Sequence, residues 1–442
     1  MASVASALDR IKSDLRRFLP DSQILDACSR SGHRFRRRVF DPVATVHLFV
    51  LQVLCFNTAM THLRHLARRR VNPPAYCRAR MRLPLAVLQD LLRRSADAVL
   101  GGVGHAEGGR FHGHRVLLLD GSTALAPDTP ASQDAFGQPR GQKPGCGFPM
   151  PQVIGLFDAF TGVALQVIGC PLYTRELRTL WALHPLIGPG DLLLADRGLC
   201  SYAHLALLVL QGSHACFRLH QRQRVRFDGR CRGEHAASRR HRRLGRDDQL
   251  AEWFKPRLRP AWISPGQYAD LPDRLTVREV RYRLVRVGYR VRTVVVVSTL
   301  LDARLYPQTE MKRLYGLRWQ VETHFAELKT TLKMRRLKSR TPQGVLKELA
   351  VFALVYNLVR AVMLQAARRQ QVDPSRISFL DTIRWLLSAP PGQTIKDLVV
   401  NPKRSERHQP RVIKDLRDTY MKMTLPRPRL KARLDDWRGR PK

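Results

Sequence analysis

Three acidic residues stand out by where they fall. Asp120 closes the apolar run Val116-Leu117-Leu118-Leu119 and is followed by Gly121. Asp196 closes Leu192-Leu193-Leu194-Ala195 and is followed by Arg197-Gly198. Acidic residues are poor strand formers and costly to bury. Two of them at strand ends, beside glycines, belong at one rim of an α/β sheet, where open folds of that class hold their ligands. The third is Glu322, inside the stretch YGLRWQVETHFAELK at 315–329. At about 100° per residue, Tyr315, Arg318, Glu322 and Lys329 share an arc of roughly 60° on one helix face. Leu314, Leu317, Val321, Leu328 and Leu332 fall on the adjacent face. Such a helix packs along one edge and presents a carboxylate among two cations and a phenol. Taken singly, the helix reads as an ordinary amphipathic segment and each aspartate as a turn or cap residue. The set of three points to chemistry.

Carboxylates brought together repel one another unless cations neutralise them. Oxygen-only ligation suits Mg²⁺ or Mn²⁺ rather than Zn²⁺. Two such ions about 3.5–4 Å apart serve in-line attack on a phosphodiester: one activates a water or 3′-hydroxyl, the other stabilises the leaving oxygen. Arg318 and Lys329 are of the type that holds phosphate beside such a site. Glu327 lies about 180° round the helix from Arg318 and is rejected as the third ligand. Asp158, Asp191 and Asp302 read as turn or capping residues, and His112 and His114 as exposed histidines of a Gly/His-rich linker at 101–114.

The elements that must position these groups are legible in outline. Strands are predicted at 115–122, 152–157 and 163–169, the last two joined by a turn at 158–162, then at 191–195 and 215–219. Helices are predicted at 175–184 and 202–210. Strands alternating with helices indicate an α/β sheet covered on both faces. The stretch from His220 to about Asp248 is strongly basic, and 275–299 alternates like two strands. A long helix is predicted over 345–367. The first hundred residues read as helical: an apolar stripe of Leu8, Ile11, Leu15 and Phe18, a buried helix at 43–56, then 60–66 and 85–92 separated by Asn72-Pro73-Pro74. Basic clusters lie at 34–38 and 68–70. The tail from about Pro402 is basic and Pro-rich.

Composition narrows the partner. The 442 residues carry 77 Lys and Arg against 36 Asp and Glu, a net charge of +41. Self-repulsion makes that costly to a folded state, and a polyanionic partner is the usual reason for it. Nucleic acid fits better than a membrane, because the run Val43–Phe56 is interrupted and falls short of the ~20 residues a span needs. The eight cysteines are scattered with no CxxC pair, so neither a zinc ribbon nor a disulfide framework is indicated. The N-terminus lacks the apolar core of a signal peptide. A soluble, cytoplasmic, nucleoid-associated protein is expected.

The pattern Tyr315-x2-Arg318-x3-Glu322-x6-Lys329 resembles the Tyr-Arg-Glu-Lys signature of DDE transposases of bacterial insertion sequences, the IS-four type. Asp120-Gly121-Ser122 and Asp196-Arg197-Gly198 resemble that family's first two acidic motifs, and the likeness extends through Tyr356-Asn357-Leu358-x-Arg360. The resemblance implies an RNase H-like catalytic core of α/β class with a β-rich insertion before the third carboxylate. The interval of 322 − 196 = 126 residues leaves room for that insertion. The expected organisation is a helical, DNA-binding region at 1–110 and the core's first part at 111–220. The insertion follows at 221–298, the core helices at 299–370, and a basic tail at 371–442. The resemblance also implies Asp120, Asp196 and Glu322 as ligands of two Mg²⁺ or Mn²⁺ ions, and Tyr315, Arg318 and Lys329 as contacts to DNA-end phosphates. Trp253 or Trp262 is the candidate for stacking on a flipped base. The implied activity is metal-dependent cleavage and strand transfer of an insertion sequence, by cut-and-paste. It would act as a homodimer on double-stranded DNA, at the inverted repeats and the target. An RNase H-like nuclease and a non-catalytic DNA-binding derivative are the alternatives.

Overall fold

The computed structural model describes residues 19–36, 38–66, 71–102, 109–174, 176–220, 238–284, 292–389 and 397–402, with isolated positions elsewhere. The predicted stripe of Leu8, Ile11, Leu15 and Phe18, the Arg68–Arg70 cluster, Cys231 and most of the basic tail lie outside the described residues.

The apolar runs pair into one nine-stranded mixed sheet. Its strands are β1 Val116–Thr123, β2 Gln152–Asp158, β3 Ala164–Cys170, β4 Leu192–Ala195, β5 His214–Arg218, β6 Ser238–Gly245, β7 Asp248–Phe254, β8 Arg274–Leu284 and β9 Arg292–Ser298. Their order is β3-β2-β1-β4-β5-β9-β8-β7-β6. β2 lies between β3 and β1 and runs antiparallel to both, whereas β1, β4 and β5 run parallel. These five strands are the expected RNase H-like core. β9 pairs antiparallel with β5, and β8, β7 and β6 follow. The basic, β-rich stretch therefore continues the core sheet edge to edge. Its outermost strand, β6, exposes Arg239, Arg240, His241, Arg242 and Arg243. Charge on an edge strand opposes pairing with another chain.

Alternation assigns the two faces. Leu117, Leu119, Leu193 and Ala195 pack against the helices at Glu176–Leu183 and Tyr202–Leu210. Val116, Leu118, Leu192 and Leu194 face the other way, into a core shared with the N-terminal helices and a 29-residue helix. Label the helices that build this second layer α1 (Asp21–Arg30), α2 (Pro42–Leu54), α3 (Pro73–Arg82), α4 (Leu85–Gly101), α5 (Gln308–Gly316), α6 (Gln320–Ala326) and α7 (Pro342–Gln370). The N-terminal helices thus bury their apolar faces against the same core as the sheet. Pro73-Pro74, expected to separate helices, instead starts α3. Asn72 Oδ1 accepts from Ala75 N at 3.2 Å, and proline suits a first helical turn, where its missing N–H is not needed. The stretch expected to be helical at 60–66 forms one turn, Leu63–Leu66.

α7 is long and apolar enough to cross a membrane, but 94% of its most apolar window is buried inside the protein. It is the spine of the second layer. Thr341 caps it, accepting from Gly344 N at 3.1 Å. Its Asn357 side chain accepts from Ala164 N at 2.8 Å and donates to Ala164 O at 2.9 Å, joining the helix to β3. Cys28, Cys55, Cys77, Cys146, Cys200 and Cys216 are free thiols.

Candidate active site

The register of β1 and β4 brings two carboxylates to one rim. Leu119 lies opposite Ala195 in the parallel ladder, so Asp120 and Asp196 are the next residues on neighbouring strands. Both continue the set Val116, Leu118 and Leu192, Leu194, and so belong to the face that carries α5 and α6. Across β1, Asp120 pairs with Gly155 of β2. A Cβ at Gly155 would stand 2.4 Å from the Phe157 ring and 3.2 Å from Phe325 of α6. Glycine there lets the helix layer approach the sheet beside Asp120.

The 315–329 stretch is not one uniform helix. α5 ends at Gly316, a 3-10 turn covers Leu317–Trp319, α6 runs Gln320–Ala326, and a π turn covers Glu327–Thr331. The overwound and underwound turns depart from the ideal 100° spacing, yet the four signature side chains still reach the rim. Arg318 Nη1 lies 3.2 Å from Asp120 Oδ2, and its Nη2 lies 3.5 Å from Glu322 Oε1. The Tyr315 hydroxyl lies 3.4 Å from Ala195 O and 3.5 Å from Asp196 Oδ1. Lys329 Nζ, in the π turn, donates to Ser122 Oγ at 2.9 Å. Single π turns are frequent at functional sites because they re-aim a side chain without breaking the helix.

Electrostatics at the rim are set by burial and by the three acids together. Burial raises the Asp120 carboxyl above its ordinary value of 3.8, and Asp196 and Glu322 push the same way; the Gly121 N–H and Arg318 oppose. Burial also pushes the Tyr315 phenol well up, so it remains a donor. Lys329 is lowered by burial and by Arg335. Glu322 is half exposed, and Arg218 adds a cation 3.8 Å from Asp196 Oδ1. Asp120, Glu322, Lys329 and Arg335 help line a cleft of about 520 Å³.

The donor set is oxygen only, which fits a hard divalent cation. In this arrangement Arg318 supplies the neutralising charge between Asp120 and Glu322. Among the described residues, no three His, Cys, Asp or Glu side chains close around a single point. The buried Arg318 Nε has no acceptor among the described residues. An orphaned N–H on a buried cation is costly, and a phosphate oxygen is the acceptor that would complete it.

Other sequence-predicted residues divide. Trp253 is corrected: it lies in β7, 3% exposed, and its indole N–H donates to Glu279 Oε1 at 2.9 Å, so it has no face to offer a base. Trp262 is half-buried, stacked on His204 at 4.0 Å, and lines a separate cavity of about 640 Å³ with Tyr173 and Arg178. Glu327 points away from the rim. Arg360 Nη2 lies 2.5 Å from Glu327 Oε2, and the Tyr356 hydroxyl 3.3 Å from it. Asp158 accepts from Phe160 N and Thr161 N, Asp191 from Gly188 N, and Asp302 from Arg304 N. His114 bonds to Gly190 O and the Tyr306 hydroxyl. Sequence reasoning missed Trp319, 48% exposed, with the Arg318 guanidinium 5.4 Å from its ring centroid. An aromatic next to the signature arginine was the available signal.

The family profile described as Transposase DDE domain matches residues 111–358, more than half of the chain. The chain belongs to the DDE transposase family. Within it, the chain is similar to the transposase InsG for insertion sequence element IS4 of Escherichia coli (strain K12). The two are 26% identical over 365 residues, 78% of this chain and 77% of that one. Among solved structures, the piggyBac transposase synaptic complex with hairpin DNA aligns over 85% of this chain and 79% of its own, at 10% identity and a TM-score of 0.41.

Proposed function

We propose that this transposase cuts and joins DNA at the ends of an insertion sequence of the IS-four type, in a reaction supported by Mg²⁺ or Mn²⁺. The observation that carries the reading is the convergence of Asp120, Asp196 and Glu322 from β1, β4 and α6 on one rim, with Arg318 between two of them. Asp120, Asp196 and Glu322 are the groups that would hold two divalent ions. Such ions supply an activated water or 3′-hydroxyl and stabilise the leaving oxygen of the phosphodiester. Arg318 moves from the carboxylates to the phosphate, which also satisfies its free Nε. The buried Tyr315 hydroxyl donates to a phosphate oxygen beside Asp196. Lys329, held by Ser122, places a cation in the cleft. Trp319 offers an exposed ring on which an unpaired end base stacks, and Trp262 is the second such candidate. Cut-and-paste by a homodimer holding two ends, on double-stranded DNA in the cytoplasm, completes the proposal.

The test incubates the protein and Mg²⁺ with a DNA fragment carrying the terminal repeats that flank its gene. Excised and joined products are expected. Nicks without joining would favour a nuclease instead. Glu322→Gln should lower cleavage by about 10²-fold or more, the scale on which loss of one charge-stabilising group costs catalysis. Full cleavage by that variant would remove the three-carboxylate site.

A further inference from the structure

The catalytic cleft lies between two walls, and bonds cross it at successive levels. One wall is the end of β1 and the chain that continues it, Asp120 to Leu125. The other is α6, the π turn and, directly after it, a strap at 333–340 read KMRRLKSR. At the first level Arg318 reaches Asp120 and Glu322. At the second, Ser122 Oγ accepts from Lys329 Nζ at 2.9 Å. The third is backbone alone: Leu125 N donates to Arg335 O at 2.9 Å, and Leu337 N to Leu125 O at 2.8 Å. Arg335 N also donates to Lys329 O at 3.2 Å, which ties the π turn to that level.

Asp120 and Ser122 are two residues apart in β1, so their side chains leave one face of the strand, spaced by roughly 6.5 Å. Lys329 follows Glu322 by 329 − 322 = 7 residues, about two helical turns, and so stands one step further along the same cleft. Among the described residues Ser122 is the only side chain that accepts from Lys329, and no carboxylate pairs with it. An ammonium has three N–H donors; a hydroxyl occupies one and leaves the others for a ligand. A carboxylate at position 122 would instead hold the ammonium as an ion pair and compete with phosphate for it. Burial and Arg335 disfavour the Lys329 charge, and an acceptor fixed on the strand offsets part of that cost.

We propose that Ser122 is a positioning residue, which sets the Lys329 ammonium at a fixed place relative to the carboxylates so that its remaining N–H groups meet a DNA phosphate. The inference rests on reading the rim as a DNA-cutting site and Lys329 as a phosphate contact. The last residue of Asp120-Gly121-Ser122 then acts through the cation and not through a metal ion, its oxygen being engaged by Lys329. The strand that carries the first carboxylate thus also places the cation, and the two cannot shift independently.

The test compares the full chain with Ser122→Ala, Ser122→Thr, Lys329→Met and the double variant Ser122→Ala/Lys329→Met, on a DNA fragment carrying the terminal repeats. Single-turnover cleavage is followed in Mg²⁺, and affinity for the same fragment in Ca²⁺. Ser122→Ala should slow cleavage by about tenfold, the scale of one hydrogen bond to a charged group. Ser122→Thr keeps the hydroxyl and should restore the rate. Lys329→Met should weaken binding and reduce the salt slope by about 1, as one lost phosphate contact requires. In the Lys329→Met background, Ser122→Ala should cost nothing more, which a merely structural role would not produce. The Mg²⁺ concentration giving half the maximal rate should be the same with and without the hydroxyl. Full cleavage by Ser122→Ala, an equal loss in the Lys329→Met background, or a shifted Mg²⁺ requirement would each overturn the role. Unchanged binding and cleavage by Lys329→Met would overturn it together with the phosphate contact. If the unaltered protein cuts no DNA, the reading of the rim fails, and the affinities in Ca²⁺ still decide: a loss by Ser122→Ala that Lys329→Met absorbs upholds the positioning role, and no loss ends it.

Discussion

Arg318 is the residue on which the rim turns. Its guanidinium spans Asp120 and Glu322 although one Nε proton is left without an acceptor among the described residues. A single side chain thus holds the two acids apart from a cation while lacking a full set of partners, the state of a group ready to be exchanged. A pH prediction follows from Asp120, whose carboxyl is raised by burial and by the neighbouring acids. A raised carboxylic acid takes its proton at a higher pH than an ordinary one, and the protonated form binds cations poorly. Metal-supported cleavage should therefore fall as pH drops through a value above 3.8, and more Mg²⁺ should move that acid limb to lower pH. A limb insensitive to metal concentration would contradict it. Two tryptophans give a contrasting pair. Trp253→Phe removes the donor to Glu279, which is 1% exposed, and should cost about 1–3 kcal/mol in denaturant unfolding with DNA affinity unchanged. Trp319→Ala should leave stability within about 0.5 kcal/mol, as for an exposed site, and weaken binding to DNA ends.

At the scale of elements, the rim depends on a helix that is held from behind. Glu327 lies in the π turn and is paired with Arg360 of α7, while His324 Nδ1 accepts from the Tyr356 hydroxyl at 3.0 Å. Burial opposes the Glu327 charge, but the Arg360 guanidinium holds the carboxylate below its ordinary value. Burial lowers His324 to about 4, so the ring is neutral and accepts. This pair joins the signature helix to α7 across the core. Arg360→Met would leave a buried carboxylate without its cation. The expected cost is about 3–5 kcal/mol, read as a drop in the unfolding midpoint, whereas the double change with Glu327→Gln should recover part of it. Much of the core was visible in the sequence: the helix at 202–210, strands β1 to β5 within a residue of their ends, and Glu327 on the face opposite Arg318. The 3-10 and π turns were not, because they arise from packing of α5 and α6 on the sheet rather than from residue preference. Nor was the start of α3 at Pro73, where two prolines read as a break and Asn72 makes them a cap.

For the whole molecule, the excess of +41 finds its place on surfaces rather than in pairs. Cations gather on the edge strand β6, along the strap 333–340 and around 34–38, where described carboxylates are few. DNA affinity should fall by about 10³-fold or more between 50 and 200 mM salt if six or more phosphates are contacted, because each contact releases counterions. A flat response in a salt titration would leave the charge unexplained. The sequence by itself determined the strands that carry Asp120 and Asp196 and the rim at which they end, and it marked Glu322 as their candidate partner. Those follow from a two-residue period and from local spacing, which every segment carries within itself. Only the tertiary structure decided that Arg318 lies between two of the acids, that Trp253 is buried and Trp319 exposed, and that the basic stretch extends the core sheet. It also decided that the N-terminal helices share the core of the catalytic fold. These depend on contacts between separate elements, such as Arg318 with Asp120, 198 positions away, and no local pattern encodes which distant side chain will close over another.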